Sequence, residues 1–252
     1  YLLFTQYLEF DPDNPKWFGR DRFILSAGHM SMLHYSMLHA IGWLSADDLK
    51  NFRQLHSKTP GHPEVNETPG VECTTGPLGQ GAAMSVGFAL ASLHLQKKLD
   101  KKLFTNNIWT LLGDGCIQEE ITLGAASLAG HLKLSNLIWY YDKNKCQISG
   151  TIDRVSSDDE EKIFTGFGWK VITIDAHDHL AIKQTLKDIT SSSRKCPTLI
   201  IGNSIMAHGS YSMEGSEKTH GAPLPEEERL ATLNKLGCKE TFTLEKEQKN
   251  HF

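Results

Sequence analysis

A carboxylate between two glycines stands in residues 111–120, LLGDGCIQEE. Asp114 follows an apolar run that predicts a buried strand, and it precedes a helical pattern. Glycines on both sides allow the backbone to approach an anion, and a helix N-terminus favours negative charge. Magnesium takes one or two protein oxygens and completes its octahedron with phosphate and water. The segment therefore indicates Mg²⁺ bridging Asp114 to a diphosphate, although a turn alone would also explain Gly-Asp-Gly.

Further oxygen ligands follow the next predicted strand, in residues 137–150, LIWYYDKNKCQISG. Asp142 and Asn144 stand at its end, and a helix of fitting length separates this strand from the first. Ligands in such sheets lie outside the carboxyl ends of the strands, where neighbouring strand ends meet. We therefore expect the amide oxygen of Asn144 and the carbonyl oxygen of Cys146 to join Asp114 around one ion. The alternative is that Asn144 only forms a turn.

Histidine is frequent in this chain, with twelve in 252 residues, and several histidines stand beside glycine. Loops often carry binding residues, and a neutral imidazole can donate or accept a hydrogen bond. These histidines are therefore candidates for ligand contacts, with an ordinary surface position as the alternative. They are His29, His62, His208 and His220.

Short apolar runs rich in β-branched and aromatic residues alternate with helical patterns along the chain. This alternation predicts an α/β fold, with a mostly parallel sheet covered by helices on both faces. A helical pattern also opens the chain, and the segment after residue 205 predicts a long functional loop before a last helix. The strands are predicted at 23–25, 108–112, 136–141, 170–174 and 198–201, and the helices at 30–41, 46–55, 81–99, 119–132, 158–167, 180–191 and 225–236.

Two of these helices are small or apolar around most of their circumference. Residues 81–99 begin GAAMSVGFALASLHL, and residues 119–132 contain LGAASLAG. A helix that is apolar all round must be buried, so one face is expected to pack on the sheet and another against a second subunit. The pattern predicts a homodimer, with burial inside one large domain as the alternative.

The net charge and hydropathy of the chain disfavour nucleic acid and membranes as partners. A formal net charge of −4 gives no basic surface for nucleic acid or for an anionic membrane. No apolar run reaches the roughly 20 residues that span a bilayer. Five scattered cysteines without a C-x-x-C pair favour a reducing compartment, so we expect a cytoplasmic location, or a plastid one if a transit peptide was lost. Residues 1–237 are predicted to form one domain, and residues 238–252 a linker.

Gly113-Asp114-Gly115, followed at this distance by Asn144, resembles the cofactor motif of thiamine diphosphate-dependent enzymes. Flanking segments narrow the resemblance to the transketolase family, and they occur in the expected order over nearly the whole chain. The resemblance implies the N-terminal, diphosphate-binding (PP) domain of that family, with its α/β fold. The segments are residues 20–43 (RDRFILSAGHMSMLHYSMLHAIGW), 59–81 (TPGHPEVNETPGVECTTGPLGQG), 127–134 (SLAGHLKL) and 219–224 (THGAPL).

The resemblance implies a metal and diphosphate site. Asp114, Asn144 and the carbonyl of Cys146 would hold Mg²⁺, for which Ca²⁺ or Mn²⁺ can substitute. Gly115 and Asn144 would contact the diphosphate of thiamine diphosphate.

Roles at the reaction centre are implied as well. His29 would lie at the diphosphate and His220 at the reaction centre, and both would contact the cofactor, whereas His62 would hydrogen-bond the donor ketose. These three histidines are thus the implied catalytic residues. The remaining implied cofactor contacts are Gly76, Pro77 and Leu78 around the two rings and Ile148 as an apolar contact.

The implied reaction is the transfer of a two-carbon ketol unit from a ketose phosphate to an aldose phosphate, a step of the pentose phosphate pathway. Thiamine diphosphate would perform the chemistry. A pyrimidine-binding domain from the same or a second chain would complete the site. Because this chain contains no such domain, we expect it to be a fragment of a longer enzyme or one subunit of a split enzyme.

Several positions depart from the family pattern, among them the following three. Glu120 replaces a usual glycine, Gly124 a usual glutamate, and Lys143 a common acidic residue. These departures leave open a catalytically impaired paralogue that acts as a dimerisation or regulatory partner. A different thiamine enzyme, such as a deoxyxylulose-phosphate synthase or dihydroxyacetone synthase, is the other alternative.

Overall fold

The computed structural model describes residues 1–99 and 103–238 and contains a five-stranded parallel sheet. The strand order is β1-β2-β3-β7-β6, and β4 and β5 form a separate antiparallel hairpin of two-residue strands. The predicted α/β fold is confirmed, and the five predicted strands are those of the main sheet. The strands are β1 (Arg22–Leu25), β2 (Ile108–Gly113), β3 (Leu137–Lys143), β4 (Cys146–Gln147), β5 (Gly150–Thr151), β6 (Lys170–Asp175) and β7 (Thr198–Asn203).

Helices cover both faces of the sheet, as predicted. Short 3₁₀ turns also occur at Gly28–Met30, Ile152–Arg154 and Glu217–Thr219. Among the described residues, no helix combines the length and apolar character that crossing a bilayer requires. The predicted linker at 238–252 lies outside the described residues beyond Cys238. The helices are α1 (Ser31–Ala40), α2 (Ala46–Lys50), α3 (Gln80–Lys98), α4 (Asp114–Gln118), α5 (Glu120–His131), α6 (Glu160–Gly166), α7 (His179–Ser191) and α8 (Glu226–Leu236).

Two predicted helices are shorter than the apolar pattern indicated. The helical pattern at the start of the chain forms only a π-helical turn at Leu3–Tyr7. The helix predicted at 46–55 ends at Lys50, because the side chain of Asn51 donates to a carbonyl of the last turn and Arg53 adopts a positive φ of 63°. Leu55, which had suggested a further turn, is 87% exposed.

The two faces of the sheet bury separate cores because successive side chains of a strand point in opposite directions. The core under α3, α5 and α6 contains Leu112, Trp139 and Tyr141 together with small residues of the helices. The core on the other face contains Phe23 and Trp109, packed against α7 and the first turn of the chain. Both cores fix the strands whose carboxyl ends carry the predicted ligands.

Close packing within the first core depends on glycine. A Cβ atom at Gly130 in α5 would overlap the backbone carbonyl oxygen of Phe167. At Gly81 in α3, a Cβ atom would lie 2.6 Å from the Cα of Ser26. The first contact holds the end of α6 against α5, and the second holds Ser26, which follows β1, against α3. Glycine in both helices thus allows close packing within the domain itself.

Candidate functional site

Asp114 begins α4 at the carboxyl end of β2 and is 3% exposed. One carboxylate oxygen accepts the Tyr141 hydroxyl at 2.6 Å, and the other accepts the Lys145 backbone N–H at 2.9 Å. Burial raises the pKa of Asp114, while these two hydrogen bonds act to lower it. A carboxylate has about four acceptor positions, so each oxygen retains capacity for a cation.

Asn144 lies in the turn that carries this N–H donor. Its amide oxygen accepts the backbone N–H of Cys146 at 2.9 Å, and its amide nitrogen donates to Asp142 at 3.0 Å. Lys145 adopts a positive φ of 62°, which is uncommon for a residue other than glycine. The turn therefore brings Asp114, Asn144 and Cys146 to one place, as the two strand ends predicted.

The register of β2 and β3 explains this meeting. Gly113 pairs with Asp142, so the residues that follow each strand leave the sheet side by side. No group of three or more His, Cys, Asp or Glu side chains in the part of the chain that the structure describes is arranged to hold a metal. The predicted site instead combines one carboxylate with an amide oxygen and a carbonyl oxygen, a set that suits a hard cation such as Mg²⁺.

Three of the candidate histidines come together although the sequence separates them widely. The rings of His29 and His220 lie 4.9 Å apart at an angle of 34°. His62 approaches them through the Gly28–Gly76 contact, since a Cβ atom at Gly28 would lie 3.1 Å from its ring. The resemblance assigned these three histidines to the diphosphate, the reaction centre and the donor ketose, and the fold brings them into one cluster.

The imidazoles of His29 and His220 favour the neutral form. Burial lowers the pKa of His29, and the nearby His220 and His62 lower it further, against the opposing effect of Asp142. Burial also lowers the pKa of His220. The Nδ1 atom of His220 is buried and has no hydrogen-bond partner among the described residues. A buried polar atom without a hydrogen-bond partner destabilises the fold, so this nitrogen is suited to form a hydrogen bond with a ligand.

The loop at residues 76–78 lies against both halves of the site. A Cβ atom at Gly28 would be only 2.9 Å from the backbone nitrogen of Gly76, and one at Gly115 would be 2.7 Å from a methyl group of Leu78. Pro77 is exposed on this loop. Glycine at positions 28 and 115 therefore allows the loop to approach the histidine cluster and the start of α4 together.

Two other candidates lie apart from this cluster. Ile148 sits between β4 and β5 and is 81% exposed, so its predicted apolar contact is not made with the core of this chain. His208 stacks on His177 instead, with ring centres 3.8 Å apart, and approaches Glu214 at 3.5 Å. Only the resemblance had placed Ile148 at the cofactor.

A cavity of about 860 Å³ opens on the other face of the sheet, beside the turn. Asp142 and Asn144 form part of its polar end, and apolar residues such as Phe23, Trp109 and Met37 line the rest. Asp142 also accepts a hydrogen bond from the Ser204 hydroxyl. Neither Asp114 nor the histidine cluster lines this cavity, so it adjoins the predicted metal site without containing it.

Sequence analysis did not identify Tyr141 and Lys145 as part of the site. Tyr141 is fully buried in β3 and belongs to the apolar run that predicted the strand. Its position two residues after Trp139, on the same face, is the signal that could have placed its hydroxyl near Asp114. Lys145 contributes its backbone N–H, and almost every residue has one, so the residue type gave no signal for this contact.

Known proteins are similar to this chain in both sequence and structure. A family model described as the thiamine diphosphate binding domain of transketolase matches residues 1–252. Transketolase from Buchnera aphidicola (subsp. Schizaphis graminum) is 47% identical over 243 residues, which are 94% of this chain and 36% of that protein. Transketolase 2 from Escherichia coli K12 is 46% identical over 241 residues, with the same two shares.

Solved structures agree with the sequence matches. Transketolase from Leishmania mexicana superposes with a TM-score of 0.95 and 36% identity, over 99% of this chain and 38% of that one. Transketolase from Campylobacter jejuni gives a TM-score of 0.93 and 40% identity, over 99% of this chain and 39% of that one. The chain spans 36% of the length of the curated relatives described above. With the family model matching its full length, the chain belongs to the family of transketolase thiamine diphosphate binding domains.

Proposed function

We propose that Asp114, Asn144 and the carbonyl of Cys146 hold a Mg²⁺ ion that binds the diphosphate of thiamine diphosphate. The observation that carries this proposal is the turn in which Asp114 accepts the Lys145 N–H while Asn144 accepts the Cys146 N–H. These hydrogen bonds orient both side chains, and each keeps an oxygen acceptor position. Ca²⁺ or Mn²⁺ can occupy a site of the same oxygen ligands.

The histidine cluster supports binding of the organic part of the cofactor. His220 offers a buried Nδ1 atom without a partner among the described residues, and neutral imidazoles can donate or accept near a reacting oxygen. We assign His29 to the diphosphate, and His62 to the donor ketose. Gly76, Pro77 and Leu78 are assigned to the two rings, as a loop that already contacts the metal half of the site.

The activity proposed for the complete protein is transfer of a two-carbon ketol unit between sugar phosphates. When bound, thiamine diphosphate supplies the nucleophilic thiazolium carbon for this transfer. The residues of this chain would bind and orient the cofactor and hold protons at the histidine nitrogens. A pyrimidine-binding domain of the same or a second chain would complete the site. We place the reaction in the pentose phosphate pathway and, because all five cysteines are free, in the cytoplasm.

A homodimer is the proposed assembly. On α5, Ile121 and Leu128 are 49% and 48% exposed, and Leu90 on α3 is 45% exposed. A Cβ atom at Gly87 or Gly124 would meet nothing within 4 Å, so the outer surfaces of both helices are open. Small residues beside exposed apolar side chains suit close approach of a second subunit.

Substitution of Asp114 tests the metal site. In the complete protein, Asp114→Ala should weaken Mg²⁺-dependent binding of thiamine diphosphate by more than about 100-fold, because even partners that only orient a metal ligand are worth about 10–100-fold. Isothermal titration calorimetry with and without Mg²⁺ measures this. Asp175→Ala is the matched control, since Asp175 ends β6, the edge strand of the same sheet, and is exposed. Unchanged affinity in Asp114→Ala would refute the proposed site.

A further inference from the structure

A chain of polar contacts leads from the surface to Asp114. The Lys143 ammonium lies 2.6 Å from one carboxylate oxygen of Glu160, and the other Glu160 oxygen lies 3.4 Å from the Tyr141 hydroxyl. That hydroxyl donates to Asp114 at 2.6 Å. The Glu160 side chain is 8% exposed and that of Lys143 is 23% exposed. The pair is therefore largely shielded from water, unlike the surface pairs of this chain.

The Tyr141 hydroxyl has one hydrogen and two carboxylates within reach. An ionised carboxylate can only accept a hydrogen bond, so the hydroxyl is the donor in both contacts. The shorter distance shows that this hydrogen goes to Asp114. Glu160 does not need the Tyr141 hydrogen, because Lys143 already compensates the charge of Glu160 through a charge-assisted hydrogen bond.

We propose that Lys143 is a positioning residue: by pairing with Glu160 it leaves the Tyr141 hydroxyl on Asp114 and so holds that carboxylate in its metal-binding orientation. The inference rests on the proposed function of Asp114. Without Lys143, the buried Glu160 carboxylate would lack its cation and would compete for the Tyr141 hydrogen, because an unpaired buried charge is strongly unfavourable. Asp114 would then lose one of the two donors that orient it.

The pairing also accounts for a departure from the family pattern. Lys143 replaces a common acidic residue, and Glu160 lies in the first turn of α6, where its side chain reaches back to β3. The two are separated by 17 residues but form a single pair. A lysine at this position therefore does not by itself indicate an impaired metal site.

A purely electrostatic role of Lys143 predicts the opposite result. A fixed positive charge near Mg²⁺ repels it, so removing Lys143 would tighten metal binding and removing the Glu160 charge would weaken it. A purely structural role predicts a lower melting temperature with unchanged metal affinity. The positioning role predicts that loss of Lys143 weakens the metal and that removal of the Glu160 charge corrects this loss.

The experiment is a Mg²⁺ titration of the complete protein by calorimetry in the presence of thiamine diphosphate, together with thermal unfolding. Lys143→Met should raise the apparent Kd for Mg²⁺ by on the order of tenfold, as expected for a weakened hydrogen bond to a charged group. Glu160→Gln alone should bind as the wild type does, and Lys143→Met combined with Glu160→Gln should restore wild-type affinity within about threefold.

Lys162→Met is the matched control. Lys162 pairs with Asp159 at 2.6 Å on the same helix, but its side chain is 85% exposed, so the same substitution should leave the Kd unchanged. Tighter Mg²⁺ binding in Lys143→Met, an unchanged Kd with a lower melting temperature, or weaker binding in Glu160→Gln would each overturn the proposal. If Lys143→Met does not fold, Glu160→Gln still decides between the positioning and electrostatic roles.

Failure of the underlying function would give a different result. If wild-type protein shows no Mg²⁺-dependent binding of thiamine diphosphate, the proposed metal site fails. If wild type binds and Asp114→Ala does not, but Lys143→Met behaves as wild type, only the positioning role is refuted.

Discussion

The carboxylate of Asp21 should make the stability of this protein fall as pH rises through the weakly acidic range. Asp21 is 3% exposed and accepts three N–H groups: those of Asn107 at 2.6 Å, the Trp109 indole at 3.1 Å and Glu9 at 3.3 Å. It thereby fixes the start of β1 to the start of β2. Burial outweighs these hydrogen bonds and raises the pKa of Asp21 from 3.8 to about 6.

The size and sign of the change in stability with pH follow from the difference between the pKa of Asp21 in the folded protein and its ordinary value. A raised pKa means that the folded protein keeps the Asp21 proton at pH values where the unfolded chain has lost it. The stabilising effect is complete below pH 4, declines through the weakly acidic range and is lost above the folded pKa. About two pKa units at about 1.4 kcal/mol each correspond to a decrease of about 3 kcal/mol in the free energy of unfolding.

Urea denaturation at intervals from pH 4 to pH 8 measures this decrease, with Asp21→Asn as the reference. The amide keeps the shape but cannot ionise, so the wild-type free energy minus that of Asp21→Asn should fall by about 3 kcal/mol between pH 4 and pH 7. Other buried acids titrate in both proteins, so their contributions cancel in the difference between the two free energies of unfolding. Asp13→Asn, at an exposed position, should give a profile parallel to that of wild type.

A difference that rises with pH would refute this reasoning. It would mean that the three N–H donors stabilise the ionised carboxylate more than burial destabilises it, so that the folded pKa lies below its ordinary value. A difference independent of pH would mean that burial and hydrogen bonding cancel.

Three further predictions concern the helix layer, the histidines and the assembly. Gly130→Ala should destabilise the protein by more than about 3 kcal/mol in urea denaturation, since its Cβ atom would overlap a backbone carbonyl, whereas Gly124→Ala on the same helix meets open space and should stabilise it by about 0.5–1 kcal/mol. His62→Ala should lower kcat/KM by about 1.5–3 kcal/mol with little change in cofactor affinity, and His29→Ala should weaken the cofactor first; kinetics across a thiamine diphosphate titration would reveal a reversed assignment. Leu128→Glu should shift the complete protein from dimer to monomer in sedimentation at micromolar concentration, and an unchanged dimer would place the interface elsewhere.

The strands were predictable because their signal is local. Residues 198–201, Thr-Leu-Ile-Ile, are β-branched or apolar, and the structure buries them all within β7. Most helices followed from periodicity in the same way. The helix predicted to Leu55 failed because a hydrogen bond from Arg53 to Thr59 redirects the backbone, and that contact depends on a loop which periodicity does not describe.

The metal half of the candidate site was predictable for a related reason. Asp114 and Asn144 each follow an identifiable strand, and adjacent strands bring their ends together. The histidine cluster was different, because His29, His62 and His220 come from three separate loops and only a family resemblance related them. The pairing of Lys143 with Glu160 could not be predicted at all, since each residue alone has the character of an ordinary surface charge.

The alternation of side chains along β3 divides the candidate site between the two faces of the sheet. Tyr141 points into the core beneath α3 and α5, where it meets Asp114, whereas Asp142 points to the other face and lines the cavity. Tyr141 can therefore contact Asp114 while its neighbour Asp142 lines the cavity on the opposite face of the sheet. A slip of one residue in the pairing of β3 with β2 would exchange them and place a carboxylate in the apolar core. Because the same slip would move Trp139, which is fully buried, out of the core beneath α3 and α5, the packing that stabilises the sheet also fixes which side chains reach the metal site.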